Sequence, residues 1–337
     1  MPSPLLGRYA LASFAPLVIA CATPAGGDEA LAPAAAEGAS SAALIVLERT
    51  VSADDTVHGS AVARFLKMRS GSLDDETLRM VGATLDLPET GSCAASPSGS
   101  LALAPSDGPR AVELLDVGSV AFEANGLRTT LEARALPDIV DLVTGVVYST
   151  RTTTLHALDP ERSDSLPSRG TYVVRSTGST RTADPDRAVP AFTVPATAVG
   201  EPSELRIDGQ DARAPDGVTL SAGTRVDLSW AASGAGDAND TEDAVYVELS
   251  SHSSSMKVRC RFEDRGVGSI PAWLLTSLAA QGGAAQGGSA PGGDARADAT
   301  RGTIVVHRIH REVFQVGGIE SGVIRFDFAR AAEFTRH

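Results

Sequence analysis

The chain has 337 residues and a formal net charge of −13, with 42 acidic against 29 Lys and Arg side chains. The acidity and the absence of any basic cluster from the sequence disfavour a nucleic-acid partner. Beyond residue 20, no apolar stretch of the sequence approaches the length of a transmembrane helix.

The first twenty residues have the pattern of an export signal. Arg8 is their only charged residue, and residues 9–20 form an apolar run that is too short to span a bilayer but suits a signal-peptide core. The run ends in Val-Ile-Ala before Cys21, and this resembles the bacterial lipobox. We therefore predict a lipoprotein signal peptide over 1–20, with Cys21 carrying the lipid. An ordinary secretory signal remains an alternative, because Ala-Cys-Ala is also an A-x-A cleavage site.

A tether is expected directly after the lipidated cysteine. Residues 21–42 are rich in Ala, Gly and Pro and have no hydrophobic period, as in flexible linkers. Ala22 is not the aspartate that retains lipoproteins of enteric bacteria in the inner membrane. We expect the mature protein in the outer membrane, facing the periplasm or the cell surface, with acyl chains such as palmitate holding it there.

Residues 43–186 predict an N-terminal β-rich domain. Period-two alternation over 120–133 is interrupted by Asn125-Gly126, the strongest two-residue hairpin signal. A short helix is expected after Ser72, which is a good N-cap residue. Its apolar stripe would consist of Leu73, Leu78 and Val81.

Residues 187–337 predict a C-terminal β-sandwich domain. About seven strands follow one another at sandwich spacing, with Gly-rich residues 281–301 as a disordered surface loop. The whole chain is thus expected to be mainly β, as two antiparallel β-rich, sandwich-like domains with a few short helices after the signal peptide and tether.

The stretch 256–275 is the most regular part of the second domain. Met256, Val258, Cys260 and Phe262 alternate with charged residues, as in a strand with one buried face. A turn over 264–268 follows, and a helix is predicted to start near Pro271, with Trp273, Leu274 and Leu278 facing inward.

These residues carry a family resemblance that covers roughly residues 190–335. The pattern Cys…Asp-x-Gly…Ile-Pro-Ala-x-Leu-Leu resembles a C-terminal module of uncharacterised secreted lipoproteins of the myxobacterial type. Here it consists of Cys260, Asp264, Gly266, Ile270, Pro271, Ala272, Leu274 and Leu275. The resemblance implies a β-sandwich and no assigned activity.

Three groups of residues are candidates for chemical sites. His307 and His310 lie three apart in a predicted strand, on opposite faces, which argues against a joint metal site. Cys93 and Cys260 could form a disulfide in an oxidising compartment, or Cys260 could be a small core residue beside a solitary Cys93. An acidic loop offers weak calcium candidates, although a solvated turn is the simpler interpretation; these candidates are Asp237, Asn239, Asp240 and Asp243.

No catalytic motif stands out in the sequence. G-x-S-x-G between strand and helix, the phosphate-binding glycine loops and a CxxC zinc pattern are all missing. We therefore predict a non-catalytic envelope lipoprotein without a cofactor, which acts structurally or binds an envelope protein or surface polymer through its loops. The alternatives are a hydrolase of envelope polymers and a calcium-dependent adhesion or glycan-binding module.

Overall fold

The computed structural model describes residues 40–68, 73–97, 112–136, 144–150, 153–155, 166–179, 188–234, 243–252, 254–280 and 300–336. Short stretches of alternating apolar residues form its strands. In chain order the elements are β1 (Ser41–Val51), β2 (Val57–Met68), α1 (Asp75–Met80), β3 (Cys93–Pro97), β4 (Val112–Leu114), β5 (Val120–Ala124), β6 (Leu127–Thr130), β7 (Glu132–Leu136), β8 (Thr144–Ser149), β9 (Thr153–Leu155), β10 (Arg169–Ser176), β11 (Phe192–Val199), β12 (Ser203–Ile207), β13 (Gln210–Asp211), β14 (Val218–Leu220), β15 (Val226–Ala231), β16 (Ala244–Ser251), β17 (Met256–Glu263), β18 (Val267–Ile270), α2 (Ala272–Ala280), β19 (Thr300–Val316) and β20 (Ile319–Arg336).

One large sheet, here called sheet A, runs through the molecule. Its strand order is β3-β17-β16-β19-β20-β1-β2-β4-β8-β7, with β14 beside β20 and β9 beside β2. Most neighbouring strands are antiparallel, but β1 pairs with β20 in parallel over ten register positions. The first and last long strands of the described chain are therefore neighbours near the middle of sheet A.

Two smaller sheets cover one face of sheet A. Sheet B has the order β11-β10-β5-β6, and sheet C has the order β13-β12-β15-β18. Between sheets A and B lies a first core around Phe65, Phe122 and Phe326. A second core around Trp230, Val247 and others lies between sheet C and β16, β17 and β19, with leucines of α2 packed into it. The described part is thus two sandwiches that share one sheet.

The opposite face of sheet A is also covered. The alternate residues Ala42, Leu44 and Val46 of β1 pack with Leu78 and Val81 of the segment around α1. Both faces of the central strands are consequently buried, and β20 is buried over most of its length.

The fold class predicted from the sequence is confirmed: the protein is mainly β, with several antiparallel sheets and two helices in the described part. Strands from both sides of the expected boundary at residues 186 and 187 share sheet A, so that boundary does not separate the sheets. The division of the chain into domains 43–186 and 187–337 stays a prediction. Residues 1–39, most of the expected Gly-rich loop and the surroundings of Pro185 lie outside the described residues.

Several local predictions are confirmed. β5 and β6 form the hairpin at Asn125-Gly126, where both residues have positive φ (50° and 77°) as a type I′ turn requires. The strand β17 spans 256–263 as expected. Leu73 and Leu78 are buried next to α1, although its N-cap is Asp74, whose carboxylate accepts a hydrogen bond from the backbone N–H of Thr77.

Two expectations near residue 270 are wrong. Residues 267–268 do not form a turn but begin β18, which pairs with β15 as an edge strand of sheet C. Trp273 does not face inward, since 62% of its surface is exposed, whereas Leu274 and Leu275 are buried. The helix begins only at Ala272, so Trp273 lies in its first turn, on the side away from the second core.

Candidate functional site

Three arginines are buried where the two cores meet, and we call them the arginine row: Arg49 on β1, Arg308 on β19 and Arg330 on β20. Each is less than 9% exposed. The strand registers place Arg308 and Arg49 on either side of Phe328, and Arg330 opposite Val306, one step further along the sheet. Charged side chains in such a position require partners, because an unpaired buried charge is costly.

Arg308 has the closest partners in the row, and we call this part of the row its closed end. Its Nε lies 2.8 Å from Asp264 Oδ2, and its Nη2 donates to Asp264 Oδ1 at 3.1 Å, a two-pronged pairing of guanidinium and carboxylate. Nη2 also donates to the carbonyl of Ala231 at 2.6 Å. Nη1 donates to the carbonyls of Gly200 and Glu201, both at 3.3 Å.

Asp264 is itself held in place from sheet C. The indole Nε1 of Trp230 donates to its Oδ1 at 2.7 Å, and the backbone N–H of Ser233 donates to its Oδ2 at 3.1 Å. Burial disfavours the charged carboxylate, but the hydrogen bonds and the charge of Arg308 outweigh this and lower the pKa of Asp264 below its ordinary value. The closed end therefore ties sheet C to β19 of sheet A.

Arg330 marks the other end of the row, which we call the open end. Its Nη1 lies 3.5 Å from Asp55 Oδ1, and its Nη2 lies 3.8 Å from Glu201 Oε1. Glu201 Oε1 lies closer to Arg49 Nη1, at 3.0 Å, and Asp55 is half exposed to solvent. The buried Nε of Arg330 has no hydrogen-bond acceptor among the described residues, but the same is true of the Nε of Arg308, so Arg330 differs in the length of its ion pairs. Arg330 is thus the one member of the row without a close carboxylate of its own.

The open end forms the wall of a cleft of about 460 Å³ beside β12 and β13. Two further arginines line this cleft, Arg206 and Arg213, together with the carboxylates of Glu204 and Asp211. Burial, and then the nearby guanidinium of Arg213, lower the pKa of Arg330. Three guanidinium groups and two carboxylates thus line one cleft, and guanidinium groups bind anionic ligand groups well.

A backbone irregularity shapes the rim of the cleft. Between the pairs Ser203↔Ala231 and Arg206↔Ser229 the register of β12 shifts, so two residues of β12 lie opposite Trp230 alone. This is a β-bulge, a feature that redirects side chains and is common near functional sites. One of the two residues, Glu204, has φ of 54°, which is uncommon for glutamate. Glu204 and Arg206, on either side of Leu205, both line the cleft.

The histidines of β19 lie on opposite faces of sheet A. His307 Nδ1 is 2.7 Å from Asp327 Oδ1, and its ring stacks on Tyr246 with centroids 4.0 Å apart. The hydroxyl of Tyr246 donates to Asp327 Oδ2 at 3.1 Å. Burial opposes the charged form of Asp327, but the charge and hydrogen bond of His307 lower its pKa. This cluster lies away from the cleft, whose lining contains neither histidine.

His310 faces the first core, where it stacks on Phe326. Its Nδ1 lies 2.6 Å from Asp243 Oδ1, and its Nε2 lies 3.7 Å from Glu312 Oε1. Burial lowers the pKa of His310, but the two carboxylates outweigh it, and the net direction is a raised pKa.

The calcium candidates are only partly visible. Asp237, Asn239 and Asp240 lie outside the described residues, and Asp243 is the partner of His310. Within the described ranges no three His, Cys, Asp or Glu side chains are grouped so that they could hold a metal ion. The calcium hypothesis stays a prediction about residues 237–243. Cys21, the predicted lipidation site, also lies outside the described part.

Cys93 and Cys260 form a disulfide across the edge of sheet A. They lie directly opposite each other in the antiparallel pair of β3 and β17, with Cα atoms 4.0 Å apart. The sequence left open whether the two residues pair or Cys260 is only a core residue. In the structure Cys260 is both bonded and fully buried in the second core.

The residues of the resemblance pattern have structural roles here. Asp264 is the acid of the closed end, and Gly266 has φ of 81°, with the carbonyl of Trp230 so close that a Cβ would lie 2.7 Å from its oxygen. Ile270, Leu274 and Leu275 are buried. From the sequence Asp264 is predicted only as a turn residue, and neither the arginine row nor the cleft is predicted.

One signal could have identified the row. In β20 an arginine occupies one of the alternate positions that face the core and are otherwise apolar. These positions are Phe326, Phe328, Arg330, Ala332 and Phe334. In β19, Arg308 likewise follows Ile304 and Val306 on the same face.

A comparison of the chain with protein-family models finds no match, and a comparison with curated proteins also finds none. Neither helix in the described ranges has the length and apolar character needed to cross a membrane.

Proposed function

We propose that this protein is a non-catalytic binding protein of the bacterial cell envelope, anchored in the outer membrane by a lipid on Cys21. It belongs, in this proposal, with the secreted lipoproteins that its C-terminal half resembles. The observation that carries the binding role is the cleft at the open end of the arginine row, which three arginines and two carboxylates line. The ligand would be an envelope protein or a surface polymer, bound without a cofactor.

The geometry favours binding over hydrolysis. A serine hydrolase needs a base within hydrogen-bonding reach of its nucleophile. The cleft contains Ser203 and Ser229 but no histidine, and the Nδ1 atoms of His307 and His310 lie against carboxylates elsewhere.

The binding role can be tested by crosslinking in the native envelope. Cells that produce the full-length protein would be treated with a short amine-independent crosslinker, and the captured partner identified. We expect a specific adduct that is lost when Arg206 and Arg213 are both changed to Gln. Arg225→Gln is the matched control, because Arg225 is an exposed arginine of the same part of the chain and pairs with Asp227. An adduct pattern unaffected by the cleft variant would contradict this site.

The anchor has its own test. Radiolabelled palmitate should label the wild-type protein and not the Cys21→Ser variant. Label that persists in that variant would contradict lipidation at Cys21. Release of reducing ends or peptides from purified envelope polymers by the protein would overturn the non-catalytic assignment.

A further inference from the structure

The point at which the predicted tether joins the fold is fixed. The backbone N–H and the hydroxyl of Ser40 donate to the carboxylate of Glu320 at 2.8 and 2.6 Å, and the carbonyl of Ser40 accepts a hydrogen bond from the N–H of Met68 at 2.9 Å. Glu320 lies beside the turn that joins β19 and β20. We call this end of sheet A, where β1 begins and β19 turns into β20, the tether end.

A cavity of about 280 Å³ lies at the tether end, on the solvent side of sheet B. The ring of Phe192 in its lining is 6.3 Å from that of Phe314, near the end of β19. Gly317, in the turn between β19 and β20, lies against Pro190, two residues before Phe192. The cavity therefore lies at the end of the fold that a lipid on Cys21 would hold near a membrane.

The lining of this cavity has the chemistry of a phosphate site. It contains two arginines, Arg128 on β6 and Arg175 on β10, and the hydroxyls of Ser119, Thr177 and Thr193, and no carboxylate is among the described residues that line it. Guanidinium groups bind phosphate through paired hydrogen bonds, and hydroxyls can donate to the remaining oxygens.

The arginines of the cavity are available to a ligand. Glu123 lies opposite Arg128 in the strand register, and its Oε2 is 3.7 Å from the Nε of Arg175. The side chains of Arg175 and Glu123 are 47% and 41% exposed, so their ion pair is screened by water and weak. A phosphate can consequently replace or join this contact without breaking a buried pair.

Exposed apolar side chains lie at the same end. Four large apolar residues are exposed in the described part of the chain, and two of them, Leu136 and Val313, are at the tether end. Val313 is joined through Val323 to Leu44, near the start of β1. Leu136 is likewise joined through β8, β4 and β2 to the first residues of β1. Cationic groups beside exposed apolar groups are typical of a surface that contacts a membrane.

The cleft beside Arg330 lies at the opposite end of sheet A. Arg330 pairs in register with Val51, the last residue of β1, and β1 starts at Ser41. At about 3.3 Å per residue, this strand separates the two ends by roughly 30 Å. A molecule that rests on its tether end would therefore present the cleft away from the membrane.

We propose that the tether end docks on the membrane surface, with Arg128 and Arg175 binding the phosphate of a phospholipid headgroup in the cavity beside Phe192. The inference rests on the proposed lipid anchor and adds the face that contacts the membrane. A flexible tether of residues 21–39 would span about 25 Å on average, which keeps the headgroups at a high effective concentration. A weak headgroup site is then sufficient to orient the protein.

The first experiment measures orientation. The lipidated full-length protein is reconstituted in vesicles of phosphatidylethanolamine and phosphatidylglycerol that contain headgroup nitroxide lipids. A fluorophore is attached at Ala188→Cys, at the tether end, or at Asp216→Cys, beside Gly217, which lies against Glu333 near the far end of β20. We expect at least threefold stronger quenching at position 188 than at position 216.

Variants then test the cavity. Changing both Arg128 and Arg175 to Gln should reduce quenching at position 188 at least twofold, whereas Arg225→Gln, which changes an exposed arginine outside the cavity, should leave it unchanged. Both cavity arginines are exposed, so we expect the double variant to fold, and its unfolding curve checks this.

The second experiment separates a headgroup from a free anion. The full-length protein in neutral detergent is titrated calorimetrically with glycerophosphoglycerol, inorganic phosphate and glycerol. We expect glycerophosphoglycerol to bind at least tenfold more weakly to the double variant than to the wild type, and glycerol not to bind. Inorganic phosphate should bind as well, since it presents the same oxygens, and the vesicle experiment decides which source the protein uses.

Each other outcome contradicts the inference. Phosphate binding together with quenching that is independent of Arg128 and Arg175 would make the cavity a site for a free anion. Quenching that depends on the arginines without binding of glycerophosphoglycerol would indicate charge attraction and no headgroup site. If palmitate labels Cys21 but the two labelled positions are quenched equally, this inference fails and the proposed function stands. If palmitate does not label the protein, the anchor and the inference fail together.

Discussion

The two ends of the arginine row lie in similar positions but differ in how closely carboxylates pair with their guanidinium groups. Arg308 and Arg330 are both buried on the core-facing side of neighbouring strands of sheet A. Arg308 has a bidentate carboxylate and three carbonyls around it, whereas the carboxylates nearest to Arg330 are 3.5 and 3.8 Å away. The closed end has the geometry of a structural ion pair, whereas the open end has longer ion pairs and adjoins the cleft for which we propose a binding role. Burial alone does not distinguish the two.

The strongest test of the contrast is Arg308→Gln. This change leaves Asp264 as a buried carboxylate without its counter-charge, and breaking a buried pair in this way costs about 3–5 kcal/mol. We expect the free energy of unfolding in urea, followed by far-UV circular dichroism, to fall by that amount. A loss below about 1 kcal/mol would mean that Asp264 does not depend on Arg308.

The second test concerns the disulfide between β3 and β17. Both strands contribute to the second core, which lies on the same side as the closed end. Removing both sulfurs in a Cys93→Ala, Cys260→Ala variant should lower the unfolding free energy by about 2–5 kcal/mol, because a bond across 167 residues restricts the unfolded chain. The same loss should follow in an Arg330→Gln background, since the open end lies elsewhere. Reducing agent should leave the double variant unaffected. An unchanged unfolding curve would contradict a stabilising role for the bond.

The third test uses pH. The folded pKa of Asp264 is below its ordinary value, so its contribution to stability is present above pH of about 4 and is lost as pH falls through the lowered pKa. We expect the urea midpoint to fall on acidification, with a shallower slope in Asp264→Asn. Asp327 and Glu248 also have lowered pKa values, so part of the slope should remain in that variant. Parallel slopes for the two proteins would contradict this linkage.

The fourth test addresses the bulge at the open end. Glu204 has a left-handed backbone conformation that costs an ordinary residue about 1 kcal/mol relative to glycine. Glu204→Gly should therefore raise the unfolding free energy by about that amount. Asp208→Gly is the control, because Asp208 also has positive φ (48°), but aspartate adopts it more readily, and the gain should be smaller. Destabilisation by Glu204→Gly would show that the carboxylate makes contacts that support the fold.

The smallest effect is expected for Arg330→Gln in the absence of ligand. No close pair is broken, and removing an under-compensated buried charge offsets the lost contacts, so the unfolding free energy should change by less than about 1 kcal/mol. The contrast with Arg308→Gln is the sharpest measure of the difference between the ends. Equal losses in the two variants would make both ends structural.

Local structure was largely accessible from the sequence. The alternation in 256–263 and the Asn125-Gly126 pair act over a few residues, and the structure has the strand and the hairpin that they predict. The return strand of that hairpin shows what an alternating pattern in the sequence cannot predict. Its alternation continues through Leu131, but the chain leaves sheet B there and joins sheet A as β7. An alternation with a period of two residues shows that a strand has one buried face. It does not show which sheet the strand joins.

The candidate site was not accessible, because it depends on contacts between distant segments. Arg308 meets Asp264, Ala231 and Gly200 only when sheets A and C have assembled. From the sequence, Asp264 before a glycine has the pattern of a turn, which is correct locally and incomplete. Tyr246 alternates with the apolar core residues of β16, yet it is 7% exposed because the segment after α1 covers that side of sheet A.

The parallel pairing of β1 with β20 has a consequence for how the chain reaches this state. Ser41 and Glu320, which are hydrogen-bonded, are 279 residues apart, so the centre of sheet A closes only after nearly the whole polypeptide has emerged. Topologies of this kind fold slowly. Until β20 pairs with β1, the unpaired edge of β1 is exposed, and other chains can aggregate on it. An exported chain that emerges from its amino end would present β1 first and β20 last. We expect its biogenesis to depend on holdase chaperones in the compartment where it folds.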